Sequence, residues 1–355
     1  MLCEICNEKL RWGKGENCVI CCNFFDRADD LAFEIFKNLD FEFNSFNVAI
    51  RNEGSFRALQ EFFEGKFDYD LKIEIKRVLQ KKIGDLTQRE ISHEPDVLIT
   101  FSPEDFTFRV EIKPLFLYGR YIKRVRNISQ TRWLCGFCKG FGCEICNFSG
   151  KRFATSVEEL ISIPVIRLFN AKNALLHGAG REDVDARMLG NGRPFVLEIV
   201  EPKKRKLDIF EVERAINEFC GGRVEVKSLR FATLRDVEIV KKERFRKIYR
   251  AKVVFDRIIS REELEIALKR IVGEIKQRTP KRVLHRRADV FRLRKVYRAE
   301  ILEHFGKIAV LKFETDAGLY VKELVSGDEG RTEPNLSKKF KAYVEKLDVL
   351  EVIEN

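Results

Sequence analysis

Four C-x-x-C pairs constrain this chain more than any other feature. Cys3/Cys6 and Cys18/Cys21 stand near the start, and Cys135/Cys138 and Cys143/Cys146 stand in mid-chain. Each C-x-x-C turn aims two sulfurs at one point, so two pairs suit one tetrahedral zinc ion. A disulfide framework would need an oxidising compartment, and no signal-peptide pattern opens the sequence. A redox C-x-x-C usually stands alone beside a βαβ unit. No histidine lies beside these cysteines, so a closed four-sulfur site leaves no position for a reacting water. Any zinc is therefore expected to be structural, stapling small modules that lack a core of their own. Cys22 is an alternative ligand to Cys21, and pairs from the two sets could share an ion. Cys220 reads as a small buried apolar residue. CGFCKGFGCEIC (135–146) also echoes, locally, a chaperone zinc knuckle.

The remaining chain has room for two or three domains. Of its 355 residues 45% are hydrophobic, which excludes a disordered protein. No apolar run approaches the roughly 18 residues of a membrane span, so a cytoplasmic location is expected. The net charge of +11 is concentrated: residues 241–300 hold 21 Lys/Arg against 8 Asp/Glu. A basic segment of this kind expects a polyanionic partner, since binding releases counterions from phosphates.

Read for periodicity, residues 28–41 and most of 55–84 are helical, while 45–52, 95–102 and 106–119 are strands. Ser156 and Glu159 form a capping box ahead of a helix over 156–169. Further on, strands are expected at 196–200, 224–233, 247–256 and 307–316. Helices are expected at 211–219, 261–272 and 335–347. Strands and helices do not alternate regularly, which favours an α+β fold with a mixed or antiparallel sheet. The organisation expected is a zinc knuckle (1–24), an α/β block (25–127), a second cysteine module (128–150) and a domain over 151–355.

The run GAGREDVDARMLGNGRPF (178–195) mixes three arginines and three acids among four glycines. Glycine at that density marks sharp turns or close approach of a ligand. An acid among fixed cations stays ionised even in a partly dry site. The run lacks the third glycine of a dinucleotide fingerprint. QRTPKRVLHRRADVFRLRKVYR (277–298) is the most basic stretch, with Arg282, His285, Arg286 and Arg287 at its head. Its interleaved apolar residues pack one face and leave the other for a phosphate backbone.

The 178–195 run closely resembles the catalytic motif of the archaeal and eukaryotic tRNA pseudouridine synthases that modify T-arm uridines 54 and 55. The resemblance covers nearly all of 113–337 apart from the cysteine module. It implies that Asp183 is the catalytic aspartate. RKIYRAKVVF (246–255) resembles the segment that supplies an active-site tyrosine, here Tyr249. DAGLYVKELVSGDEG (316–330) resembles a signature motif in which a basic residue, here Lys322, pairs with the aspartate. Tyr320 would then contact substrate and Leu324 would form an apolar wall. KPLFLYGRYIKRVRNISQT (113–131) resembles a THUMP-type RNA-binding domain, with Arg120, Lys123 and Arg124 gripping tRNA. Arg181, Arg187 and Arg193 would meet phosphates or hold the site open. The reaction implied needs no cofactor, and the partner implied is tRNA, with no membrane and no nucleotide. The competing reading is a zinc-containing tRNA-binding protein without catalysis.

Overall fold

The computed structural model describes residues 2–11, 13–16, 18–63, 70–242 and 244–353, without the side chains of Phe63 and Arg286. The expected helix over 55–84 therefore runs partly outside the described residues. The chain forms two compact units. One comprises Met1–Leu115, Ile166–Asn173 and Ile199–Leu207; the other comprises Phe116–Val165, Ala174–Glu198 and Asp208–Asn355.

The first unit opens with α1 (Glu4–Leu10), which is preceded by Cys3 and contains Cys6, and α2 (Phe24–Lys37), which follows Cys18 and Cys21. Strand β1 (Ser45–Ile50), helices α3 (Gly54–Phe63) and α4 (Leu71–Thr87), and strands β2 (Glu90–Ile91), β3 (Val97–Ser102) and β4 (Thr107–Ile112) follow. The sheet order is β2-β1-β3-β4. Strand β1 is parallel to β2 and β3, and β4 returns antiparallel. Alternation decides the faces: Phe46, Val48 and Ile50 on β1, with Val97, Ile99 and Phe101 on β3, are buried. Leu71, Ile75, Leu79 and Ile83 recur every fourth residue on α4 and supply a helical stripe to the same core. The Asp70 carboxylate caps α4, accepting from the Ile73 amide at 3.1 Å. The sequence reading of 106–119 as one strand divides here, because β4 ends at Ile112 and Pro114 interrupts the run.

The second unit is built on a mixed sheet of ten strands among the described residues. In chain order its elements are β5 (Leu115–Lys123), α5 (Val157–Leu168), β6 (Asn173–Gly178), β7 (Arg187–Val200), α6 (Ile209–Cys220), β8 (Val224–Ala232), α7 (Leu234–Lys242), β9 (Arg246–Phe255), α8 (Arg261–Ile271), β10 (Gly273–Arg278), β11 (Phe291–Phe305), β12 (Ile308–Thr315), α9 (Val321–Ser326), β13 (Thr332–Glu333) and β14 (Ala342–Ile353). The strand order is β13-β10-β11-β12-β9-β14-β7-β5-β8, with β6 paired to β7. As expected, the fold is α+β and the sheet is mixed; β14 runs parallel to β7 and antiparallel to β9. Ser156 caps α5, its hydroxyl 3.2 Å from the Glu159 amide.

The helix expected over 335–347 is not formed. Residues 336–338 make one 3-10 turn, and from Ala342 the chain is a strand. Phe340, Val344 and Leu347 mimic a helical stripe in the sequence. In fact β14 carries register shifts at Val344/Lys346 and Val349/Glu351, and these hide the period-two pattern. The resulting strand is central, and it brings Asp348 opposite Arg187 on β7 and Arg250 on β9. The Asp348 carboxylate takes a fork from Arg187 at 2.8 and 2.9 Å, plus Arg126 at 2.6 Å and Arg250 at 3.0 Å. Burial would raise the Asp348 pKa, but these arginines prevail and hold it at about 2. Gly190 has φ +58, and a Cβ there would lie 1.9 Å from the Leu350 carbonyl oxygen, so β7 meets β14 only as glycine.

A carboxylate whose folded pKa is depressed adds stability above its unfolded pKa and loses it as pH falls through the folded value. Asp348 should therefore contribute about 2 kcal/mol at neutral pH, disappearing between roughly pH 4 and 2. Denaturant unfolding of the Asp348→Asn variant should show a shallower acid limb than the parent. Identical acid limbs would refute the assignment.

Candidate active site

The loop between β6 and β7, residues 179–186, carries Asp183 into a cavity of about 310 Å³ in the second unit. Tyr249 on β9, Lys322 on α9, Tyr320 at its N-cap, and Arg282 and Arg287 from the segment after β10 line the same cavity. Residues from four separate stretches of sequence thus converge on one carboxylate.

A buried network holds the loop from below. Arg193 on β7 is 1% exposed, and its Nε donates to Glu182 Oε2 at 2.9 Å. The Tyr121 hydroxyl on β5 donates to the same oxygen at 2.8 Å, and Gln130 Nε2 donates to that hydroxyl at 2.9 Å. Gln130 also reaches the Gly180 carbonyl at 2.9 Å, and Arg193 reaches the Ala179 carbonyl at 2.7 Å. Lys123 lies 3.8 Å from Glu182 and donates to the carbonyls of Asp183 and Val184, both at 3.3 Å. Burial by itself would push the Glu182 carboxyl up; Arg193 and Lys123 outweigh it and hold it below the usual range. Gly180, at φ +76, turns the chain directly above Arg193. The loop is therefore anchored by charges that never meet solvent, and only Asp183 and its neighbours face the cavity.

Asp183 is 27% exposed at its side chain and sits between two cations. Arg282 Nη1 donates to Oδ1 at 3.1 Å, and Lys322 Nζ stands 3.5 Å from Oδ2. Lys322 is closer to Asp185, at 2.7 and 2.8 Å. Arg282 also bonds the buried Glu323 at 2.7 Å, which fixes its fork toward the cavity. The basic residue nearest to Asp183 is thus Arg282, which the sequence reading had set among the phosphate contacts. Gln277 positions Tyr320 through both of its amide groups, at 2.8 Å to the Tyr320 N–H and 3.1 Å from the carbonyl.

Tyr249 is 9% exposed, and burial, then the nearby Asp183 charge, push its hydroxyl up to about 12. A phenol so held stays protonated at neutral pH, so it stacks or donates rather than accepting a proton. Lys247, two residues earlier on the same face of β9, also lines the cavity. It is 7% exposed, and burial with the Arg193 charge lowers its ammonium to about 8. Sequence reasoning missed Lys247, Glu182, Tyr121 and Gln130. Strand alternation from Tyr249 pointed to Lys247; nothing local pointed to the others.

Several expected contacts lie elsewhere. Leu324 is fully buried on α9 and is not among the cavity-lining residues. Arg193 and Lys123 are withdrawn from solvent under the loop, so they cannot meet a phosphate backbone directly. Arg187 is committed to Asp348. Arg120 bonds the carbonyls of Asn191, Gly192 and Val352, at 2.8, 3.0 and 3.0 Å, and Arg124 pairs with Glu225. Arg181 remains at the cavity rim, its guanidinium 4.5 Å from the Trp133 ring centroid. His285 is exposed, and the side chain of Arg286 lies outside the described residues.

Each cysteine set gathers four sulfurs within 4.8 Å of one another: Cys3, Cys6, Cys18 and Cys21, and separately Cys135, Cys138, Cys143 and Cys146. The sets do not exchange pairs, and Cys22 stays outside. Sulfur separations of 3.6 Å (Cys3–Cys21) and 3.6 to 4.0 Å in the second set match the edge of a tetrahedron. With Zn–S near 2.3 Å that edge is about 3.8 Å, so both sites fit the ion.

Residues 116–353 match the family model described as Pus10, C-terminal. The chain is 52% identical over 356 residues to the tRNA pseudouridine synthase Pus10 of Archaeoglobus fulgidus, covering 99% of each. It is 42% identical to the one of Methanopyrus kandleri, covering 96% of this chain and 81% of that one. A solved Cbf5-Nop10-Gar1 complex contains a chain 17% identical over 53% of this one and 43% of its own length, with a TM-score of 0.34. By the family match and these relatives, the chain is a pseudouridine synthase. Within this class the chain belongs to the Pus10 family.

Removing one partner of a buried pair leaves the other charge uncompensated, at about 3–5 kcal/mol. Glu182→Gln should accordingly lower unfolding stability by that order, whereas Asp185→Asn at the exposed rim should cost less than about 1 kcal/mol. Chemical denaturation of the two variants compares them directly, and equal costs would contradict the buried-network account.

Proposed function

We propose that this chain isomerises a T-arm uridine of tRNA, at position 54, 55 or both, to pseudouridine. The observation that carries the reading is the Asp183 carboxylate held between Arg282 and Lys322 at a cavity that a single flipped base would occupy. In the reaction the N1–C1′ bond breaks, the uracil turns, and a C5–C1′ bond forms. C5 loses a proton and N1 gains one, so the product is an isomer and no redox partner enters. The target base must leave its loop to reach the cavity, which costs a few kcal/mol of unstacking.

Asp183 is the carboxylate that acts on the flipped nucleotide. Lys322 and Arg282 hold and aim it. Tyr249 stacks on the uracil with its hydroxyl protonated, and Tyr320 contacts the substrate from the opposite element. Leu324 supports the helix from behind. Arg181, His285 and Arg287 meet the backbone around the target. The 25–127 block, whose THUMP-like resemblance rests on residues 113–131, helps to grip the tRNA. Each cysteine set holds one structural zinc, closed to water, that stabilises its module.

Primer extension after carbodiimide treatment of an unmodified tRNA transcript tests the reaction. The parent should create T-loop stops, and Asp183→Asn should lower the single-turnover rate by at least about a thousandfold with tRNA affinity nearly unchanged. Tight binding without any stops, in the parent as well, would favour a binding protein. Metal analysis of purified protein should give close to two zinc per chain, and one for Cys135→Ser with Cys138→Ser.

A further inference from the structure

The second cysteine module has a surface that the reaction does not explain. In residues 134–148 five large apolar side chains stand out in solvent: Phe141 is 95% exposed, Phe137 74%, Ile145 73%, Phe148 73% and Leu134 51%. Exposure on this scale within so short a segment is costly unless something covers it. A four-sulfur cluster already holds the module together, so these rings are not needed as its core.

The base of the module is continuous with the cavity. Trp133, the residue before Leu134, lines the cavity itself. Its ring lies between the guanidinium groups of Arg181, at 4.5 Å, and Arg152, at 5.4 Å, and packs on Phe153 at 5.5 Å. Lys139 and Arg132 are exposed on the module. Rings interleaved with cations are the composition of a surface on which unpaired bases stack while their phosphates are neutralised.

We infer that the 132–153 module is a stacking platform for unpaired nucleotides of the same RNA whose uridine enters the Asp183 cavity. Trp133 at the cavity, with the exposed Phe137, Phe141 and Phe148 of the same module, would form the platform. This rests on the proposed function, because it takes the occupant of the cavity to be a flipped nucleotide. Flipping leaves neighbouring bases without stacking partners, and a platform beside the cavity would hold them open.

The test compares the full-length parent with Phe141→Ser/Phe148→Ser, two exposed positions, after zinc content and thermal unfolding show both folded. Filter binding of an unmodified tRNA transcript should weaken by about tenfold, the loss of about one stacked base. The salt dependence should keep its slope, because no phosphate contact is removed. In parallel, a photoreactive benzoylphenylalanine at position 141 should cross-link to the tRNA transcript. Binding within twofold of the parent, or a cross-link to a second copy of the chain and not to RNA, would overturn the inference. If the parent binds tRNA but forms no pseudouridine, the proposed reaction fails while the binding comparison still decides the platform. A parent that does not bind tRNA overturns both.

Discussion

The Glu182–Arg193 pair is the contact on which the catalytic geometry depends. Both side chains are almost wholly out of water, and each would be untenable alone. Together, with Tyr121, Gln130 and Lys123, they tie the backbone of residues 179–184 to β5 and β7. Asp183 follows Glu182 directly, so its direction is set by a neighbour that points the other way. The G-R-E-D sequence thus divides its labour. The glutamate faces the interior and anchors, and the aspartate faces the cavity and reacts.

A second cluster supports the same region from the side. Asp348, with Arg126, Arg187 and Arg250, joins β14, β7 and β9 at the centre of the large sheet. Those strands carry the start of β7 and Tyr249, so the sheet that holds the tyrosine also fixes the end of the catalytic loop. Arginines that look like RNA contacts in the sequence are used here as internal fasteners. Charge that lines the cavity includes Arg282 and Arg287 from the segment after β10, Lys322 on α9, Lys247 on β9 and Arg181 in the loop before β7. The second cysteine module follows another logic, in which four sulfurs gather and leave Phe137, Phe141 and Phe148 outside, whereas Cys3, Cys6, Cys18 and Cys21 are part of the first unit's hydrophobic core.

Much of the local structure was legible in the sequence because it rests on short-range rules. The alternation at 45–52 and 247–256, the capping box at Ser156 and the paired cysteines each depend on neighbours within a few residues. The helix expected at 335–347 fails for a physical reason: two bulges break the alternation, and pairing with β9 and β7 overrides the local apolar spacing. The burial of Arg193 and Lys123 and the pairing of Arg187 with Asp348 were likewise not legible, since sequence shows that a residue is charged but not whether its partner is buried with it.

By itself the sequence determined the chemistry available: an aspartate in a glycine-rich loop, a tyrosine on an alternating strand, a basic signature segment and two sets of four thiols. Spacing within a motif is a local property, and it survives translation into structure. Only the tertiary structure decided which cation stands nearest to Asp183, which arginines lie in the interior, and that Lys247 reaches the cavity floor. Those outcomes depend on contacts between residues as far apart as Asp183 and Arg282, or Arg187 and Asp348. Desolvation and pairing are set by the packing of whole strands, which no short stretch of sequence encodes.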